Sequence, residues 1–379
     1  MVITEFCTGC RACEQLCPKQ CISVKSNEEG FLVAEIDESV CIGCSLCQKC
    51  CPQNNMPDKH RPMKVLAVRY KKDMELKDSA SGGAFVALAH QVLEQNGVVF
   101  GAAYEEDWKV GHIAVHNEED LHKLQGSKYV QCNTLHTYSE VKTLLCEGKK
   151  VLYSGTPCQI GGLRAFLRKD YDNLLTIDLI CHGVPSPELF RKYIEWLGKE
   201  TKGKILYYNF RDKSGGWGLG YKAKTKTANL DPYYYHFLKG DTYRECCYRC
   251  NYCTKERTGD MTIGDYWGIE YEHPAFYSTK GVSVMLLNTE KSLKWFGQVE
   301  NSFYIQESTF EQAARQNHNL LSPTRRPKVR DTVYNHLDDM DVEEYFNAVL
   351  KTPNRFVDRI KGMLPMRLKL ILKTIKQKL

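Results

Sequence analysis

Residues 7–18 read Cys7-Thr8-Gly9-Cys10-Arg11-Ala12-Cys13-Glu14-Gln15-Leu16-Cys17-Pro18. Residues 41–52 repeat the pattern as Cys41-Ile42-Gly43-Cys44-Ser45-Leu46-Cys47-Gln48-Lys49-Cys50-Cys51-Pro52. Each copy is Cys-x2-Cys-x2-Cys-x3-Cys-Pro. Three closely spaced thiolates reach three irons of one 4Fe–4S cube, and the fourth Cys, beyond the turn, reaches the other cube. The expected ligand sets are Cys7, Cys10, Cys13 and Cys51 for one cluster, and Cys41, Cys44, Cys47 and Cys17 for the other. Gly9 and Gly43 suit a tight loop whose amides point at sulfur. Pro18 and Pro52 stop the chain from continuing and steer the fourth thiolate away from its own loop. A zinc site needs four ligands and has no use for a duplicated eight-cysteine pattern with proline. Cys21 and Cys50 fall outside the pattern, and Pro52 favours Cys51 over Cys50.

Eighteen cysteines stand in 379 residues, ten of them before residue 52 and four between 246 and 253. A chain of this length does not need disulfide staples. Clumped cysteines without an export signal argue for metal in a reducing compartment. The start, Met1 to Cys7, has no basic region followed by an apolar stretch, and no long uncharged apolar run occurs. Hydrophobic residues make 42% and charged residues 26%, which excludes a disordered chain. The net charge is +6, but residues 354–379 hold eight Lys/Arg against Asp358 alone, so the rest is close to neutral. No nucleic-acid partner is expected from that balance.

Gln53 to Pro62 reads as a linker. From about 64 to 300 strand-like and helix-like segments alternate. Strands are expected over 65–70, 98–103, 113–116, 151–154, 174–180, 205–210 and 282–287. Helices are expected over 84–95, 118–125, 137–147, 160–169 and 187–199, with a last one near 342–351. Such alternation predicts an α/β domain.

A second cysteine constellation follows. Gly155-Thr156-Pro157-Cys158-Gln159 comes after one expected strand, and Asp178-Leu179-Ile180-Cys181-His182-Gly183 ends another. Residues 246–253 read Cys-Cys-Tyr-Arg-Cys-Asn-Tyr-Cys. In an open α/β sheet the strand C-terminal ends converge on one crevice. Cys158, Cys181, Cys250 and Cys253 can meet there as ligands of a third cluster. A zinc knuckle from Cys247, Cys250, Cys253 and one more ligand stays open on spacing alone. Cys246-x3-Cys250-x2-Cys253 also matches the spacing of clusters that hold S-adenosylmethionine, but that motif belongs early in a β/α barrel, and no barrel count is legible here. Ser81-Gly82-Gly83 opens an expected helix, where backbone amides can approach an anion or a flavin, or simply cap the helix. Lys128 can neutralise a phosphate or a reduced flavin, or be solvated. His182, beside Cys181, is a candidate proton donor or a structural histidine.

Taken together, Ser81–Phe85, Gly126–Gln131, Gly155–Gln159, Asp178–Pro185 and Cys250–Gly268 resemble the β-subunit family of coenzyme F420-reducing hydrogenases and dehydrogenases. The segment Phe210 to Gly218 looks like the bacterial branch of that family. The resemblance implies an α+β ferredoxin-like cluster module followed by an α/β flavin-binding domain, with a C-terminal amphipathic helix. The implied boundaries are 1–56 for the two-cluster ferredoxin-type domain, 64–340 for the FAD and iron–sulfur domain, and 341–379 for a basic helical tail. It implies FAD bound by Ser81, Gly82, Gly83, Gly126, Ser127, Lys128, Tyr129 and Thr156, with His182 and Lys128 as catalytic candidates. It also implies the third cluster on Cys158, Cys181, Cys250 and Cys253. The family resemblance leaves the substrate open. An iron–sulfur flavoprotein oxidoreductase is expected, passing electrons between clusters and FAD for hydride transfer with a small organic partner, coenzyme F420 among the candidates. The alternative is an electron-transfer subunit of a larger complex. A redox partner protein, either a ferredoxin or a dehydrogenase subunit, is expected in both cases. No Gly-x-Gly-x-x-Gly nicotinamide fingerprint is readable.

In the tail, Leu364, Leu368, Ile371, Leu372, Ile375 and Leu379 recur at helical spacing among lysines and arginines. A basic amphipathic helix can lie on an anionic membrane, or dock on protein with its lysines solvated. The expected location is cytoplasmic, with peripheral contact at the inner membrane face as the tail's option.

Overall fold

The computed structural model describes residues 6–213, 216–217, 222–223 (backbone only) and 231–352. The basic tail lies outside the described residues. Twelve strands are present in the described part. They are β1 (Ile22–Ser26), β2 (Leu32–Ile36), β3 (Lys64–Tyr70), β4 (Val98–Tyr104), β5 (Val110–Val115), β6 (Val151–Gly155), β7 (Leu174–Leu179), β8 (Tyr208–Asn209), β9 (Lys222–Ala223), β10 (Met261–Asp265), β11 (Ser283–Leu287) and β12 (Phe303–Ser308).

Eight of them form one mixed sheet in the order β12-β3-β11-β10-β7-β6-β4-β5. The centre, β10-β7-β6-β4, is parallel, while β5, β11, β3 and β12 pair antiparallel with their neighbours. Alternate residues of a strand face opposite sides. Leu152 accordingly joins the core beneath the Ala84–Glu94 and Glu290–Gly297 helices. Val151 and Tyr153 pack instead with the Thr137–Cys146 and Pro157–Leu167 helices. Burial on both faces is why these strands read as apolar runs.

The ferredoxin module is a β1–β2 hairpin with two short helices, Ala12–Leu16 and Leu46–Lys49. It is docked rather than tethered. Cys10 and Ala12 belong to the core under the sheet. Phe31, at the hairpin, enters a second aromatic core with Phe190, Tyr208 and Tyr334. Glu29 forms a fork-to-fork ion pair with the buried Arg330.

Four expectations change. The 205–210 strand shrinks to β8, which among the described residues pairs only with the two residues of β9, and Leu206 points into solvent. The 118–125 helix is one 3-10 turn, Leu121–Leu124, started by the Asn117 side chain accepting from the Asp120 amide and closed by the Lys128 ammonium on two of its carbonyls. The expected linker is anchored: His60 and Arg257 exchange both backbone hydrogen bonds, and Lys59 Nζ donates to the Asn251 carbonyl at 2.6 Å. The last helix stops at Ala348. Strands β10 and β12 lie outside the segments read as strands in the sequence.

Candidate redox centre

In the ferredoxin module both expected cysteine sets come together. Cys17, Cys41, Cys44 and Cys47 line one cavity with Ile22, Ile36 and Ile42. Burial pushes the Cys10 thiol up to about 12, with Cys7 and Cys51 acting in the same direction. Burial raises Cys13 further, again with Cys10, Cys7 and Cys51 contributing. Gly9 has φ +71° and its amide donates to Cys7 Sγ at 3.4 Å, as the tight loop requires. Cys10, Cys13 and Cys51 of the first set are buried and Cys7 is half-buried, whereas Cys41 and Cys44 are exposed. The two cysteines outside the pattern are close by: Cys21 Sγ is 3.4 Å from Cys17 Sγ, and Cys50 is buried beside Cys51.

Strand ends build the second centre. β6, β7 and β10 are parallel, so Cys158, Cys181 and Asp265 follow or close three strands on one side of the sheet. Cys158 sits in the first turn of the Pro157–Leu167 helix. Thr156 caps that helix in a reciprocal capping box with Gln159 and lies 3.1 Å from Cys158 Sγ. Burial raises the Cys158 thiol, and Cys181, Cys250 and Cys246 push the same way. Burial likewise raises Cys181 to about 12, with Cys250 next. A hydrogen bond with Cys253 lowers Cys250 to about 7 and raises Cys253. Cys247 neighbours Cys246, Cys181 and Cys250. Cys158, Cys181 and Cys250 thus form a common group, with Cys246, Cys247 and Cys253 around it. Among the described residues, no group of three His, Cys, Asp or Glu stands at single-ion distance. A cubane spreads its thiolates over four corners, and a soft all-sulfur donor set suits iron–sulfur chemistry.

The loop carrying Cys250 and Cys253 is held by a buried ion pair. Arg257 donates to Asp178 Oδ1 at 3.0 Å and to the Tyr252 carbonyl at 3.1 Å. Asp178 Oδ2 accepts from the Thr258 and Gly259 amides. Both side chains are essentially inaccessible, so the pair ties this loop to β7, three residues before Cys181.

The two centres abut. Cys246 Sγ lies 3.7 Å from the Cys7 carbonyl. A Cβ on Gly162 would stand 2.8 Å from Cys10 Cβ and 3.0 Å from Cys10 Sγ.

Beyond Cys181 lies a charged and aromatic patch. Arg211 pairs with Asp265 through two hydrogen bonds of 2.5 and 2.8 Å and donates to Tyr129 Oη at 3.1 Å. Trp217 Nε1 donates to Asp265 at 2.7 Å, and Trp217 stacks on Trp267 at 5.1 Å. Arg211 lies over the Trp267 ring. Lys213 Nζ bridges the Ser81 and Lys280 carbonyls; burial brings its pKa down to about 8, against the pull of Asp265. His182 is held below its ordinary pKa first by burial and then by His318, with Asp265 and Arg211 also acting on it. Arg211, Lys213, Trp217, Asp265 and Trp267 fall in stretches read from the sequence as segments, with none of them named as a candidate.

The flavin candidates divide. Tyr129 joins the patch through Arg211 and stacks on Phe237 at 4.2 Å. Gly126, with φ +74°, has among the described residues only Asn209 Oδ1 and Asp78 O near its Cβ direction, both at 3.9 Å. Next to it, Gln125 Nε2 is a buried donor without a hydrogen-bond partner among the described residues, and Ser127 is half-buried. Ser81 and Gly82, however, serve packing. Ser81 Oγ donates to the Val282 carbonyl, and the Gly82 amide donates to Ser283 Oγ. A Cβ on Gly82 would meet Val68 O and Ser283 N at 2.5 Å, and one on Gly83 would strike Leu76 and Tyr70. The Gly82 amide is thereby engaged, and its loop lies flat on β3 and β11. Thr156 is likewise engaged as a helix cap. Lys128 donates to the Lys123 and Gln125 carbonyls over the Tyr104 ring, and burial brings its pKa down to about 7. Those contacts turn it toward its own loop rather than toward His182.

Residues 148–313 match the family described as the C terminus of the coenzyme F420 hydrogenase/dehydrogenase beta subunit. Residues 6–55 match the 4Fe–4S dicluster domain. No curated protein matches the chain. Among solved structures, a chain of the xenon-derivatised F420-reducing nickel–iron hydrogenase complex from Methanosarcina barkeri is similar at 15% identity and a TM-score of 0.48. That match covers 73% of this chain and 93% of the other. Residues 148–313 are thus similar to the C terminus of the coenzyme F420 hydrogenase/dehydrogenase beta subunit, and residues 6–55, ahead of them, to the 4Fe–4S dicluster domain.

Proposed function

We propose that the protein is an iron–sulfur flavoprotein oxidoreductase in which electrons cross from the ferredoxin module through a third cluster to FAD. The observation that carries this is the abutment of the two cysteine centres, with Cys246 against the Cys7 carbonyl and Cys10 against the helix that presents Cys158. Two cysteine sets end to end, with a third against them, suit a chain of single-electron carriers. Cys158, Cys181 and Cys250, with Cys253 as the proposed fourth ligand, hold the third cluster. The division into 1–56, 64–340 and 341–379 is retained as part of the proposal.

For the flavin, the Gly126–Tyr129 loop with Gln125, and the patch of Arg211, Trp267 and His182, are the fitting surface. Bound there, FAD supplies the conversion between one-electron and two-electron chemistry. Gln125 offers a donor to it, Tyr129 and Trp267 offer aromatic faces, and Arg211 is held in orientation by Asp265. His182 is proposed as the group that holds a proton beside the small organic hydride partner, for which coenzyme F420 is one candidate. A redox protein is proposed to exchange electrons at the exposed Cys41–Cys47 end.

The test is iron, acid-labile sulfide and flavin per chain after purification without oxygen. Three cubanes and the flavin predict about 12 iron and about one FAD. About 8 iron without flavin overturns the proposal.

The second reading, an electron-transfer subunit of a larger assembly, is favoured by the likeness of residues 148–313 to the C terminus of a hydrogenase/dehydrogenase beta subunit. Turnover that appears only when a partner subunit is added distinguishes it. A peripheral membrane role for residues 354–379 is rejected if deleting them leaves liposome co-sedimentation unchanged. Among the described residues, no helix is long and apolar enough to cross a membrane.

A further inference from the structure

Tyr252 lies between the two cysteine centres. It is 3% exposed, and its hydroxyl is buried with no hydrogen-bond partner among the described residues. A buried phenol normally finds a partner, because an unmade hydrogen bond in a low-dielectric interior is costly. The chain makes room for it deliberately. A Cβ on Gly161 would overlap the Tyr252 hydroxyl. Gly161 is three residues after Cys158 on the same helix, so the two share a face. The next residue, Gly162, receives Cys10. One helix therefore seats Cys158, the Tyr252 hydroxyl and Cys10 side by side. Two consecutive glycines inside a helix lower its stability, and close approach is the reason to keep them.

The ionisable groups that act on the phenol, after burial itself, are Cys158, Cys10, Cys250 and Cys51. Two come from the strand-end group and two from the ferredoxin module. The ring is fixed from the other side, where the Tyr252 carbonyl accepts from Arg257 and Lys59 Nζ lies over the ring at 5.6 Å. The hydroxyl is held in place by packing rather than by a protein acceptor.

We propose that Tyr252 is a positioning residue whose hydroxyl donates a hydrogen bond to a sulfur of the cluster held by Cys158, Cys181 and Cys250, and so raises that cluster's reduction potential relative to its ferredoxin-module neighbour. This rests on the third-cluster proposal. Hydrogen bonds to cluster sulfur stabilise the more negative, reduced form and are one of the protein's means of setting potential. Tyr252 then biases electron passage at the junction between the modules.

The experiment is an EPR-monitored redox titration of full-length wild type, Tyr252→Phe and Cys158→Ala, each with its iron count. Cys158→Ala identifies the third cluster's signal by removing it. Tyr252→Phe keeps the ring and the glycine-lined seat, so the fold and about 12 iron are retained. The expected result is a negative shift confined to the third cluster of about tenfold in its equilibrium constant, about 59 mV for one electron. An unchanged potential with three clusters present overturns the role of Tyr252 and leaves the third cluster standing. A shift in a ferredoxin-module cluster instead overturns the assignment. Two clusters only in wild type overturns the third-cluster proposal and this one with it.

Discussion

At Asp178 and Arg257 two full charges are removed from water and satisfied by each other, two amides, a threonine hydroxyl and backbone carbonyls. Removing one partner strands the other. Asp178→Asn should cost about 3–5 kcal/mol in urea unfolding and loosen the Cys250–Cys253 loop. A loss below about 1 kcal/mol would show the pair to be dispensable. Lys128 gives a pH-dependent prediction. Burial holds it at about 7 in the folded chain, whereas an unfolded lysine keeps its proton to about 10.4. Between those values the unfolded chain binds the extra proton, so stability rises with pH from about 7 to about 10. Lys128→Met should flatten that rise, read as denaturation midpoints at pH 7 and pH 9. The Asp178–Arg257 and Arg211–Asp265 pairs were not legible in the sequence, because their members are 79 and 54 residues apart and no local pattern marks them. The ferredoxin cysteines were legible, because one short loop supplies three ligands.

The Pro157–Leu167 helix shows what an element gives up for a contact. At Gly162 an alanine would gain about 1 kcal/mol of helix propensity. Its Cβ would also press on Cys10 and, at 2.9 Å, on the Tyr138 hydroxyl. Overpacking of that kind costs about 1–3 kcal/mol, so Gly162→Ala should lower the thermal midpoint although it improves the helix. A raised midpoint would mean that the ferredoxin module simply backs away. The helices Ala84–Glu94, Thr137–Cys146 and Pro187–Glu200 follow the sequence periodicity to within one residue at either end. Strand β10 lies outside the segments read as strands in the sequence. Its place comes from tertiary bonds instead: Asp260 accepts from Thr176 and Thr289 and pairs with Arg164.

Across the whole molecule, cysteines far apart in sequence are gathered into a line. It runs from the Cys41–Cys47 cavity through the buried Cys10 set to the strand ends and on to the Arg211–Asp265 patch. On the three-cluster proposal, Cys181→Ala should remove the strand-end cluster, about 4 of about 12 iron, and leave the ferredoxin module's signals intact. Loss of all iron would instead mean that the module cannot hold its clusters without the strand-end centre. The line also has an unequal relation to solvent. Cys41 and Cys44 are exposed, while Cys10, Cys13, Cys51 and Cys253 are buried. Oxygen damage therefore proceeds from the tip inward, and a sample left in air sheds its outermost cluster first while its innermost thiolates are still shielded.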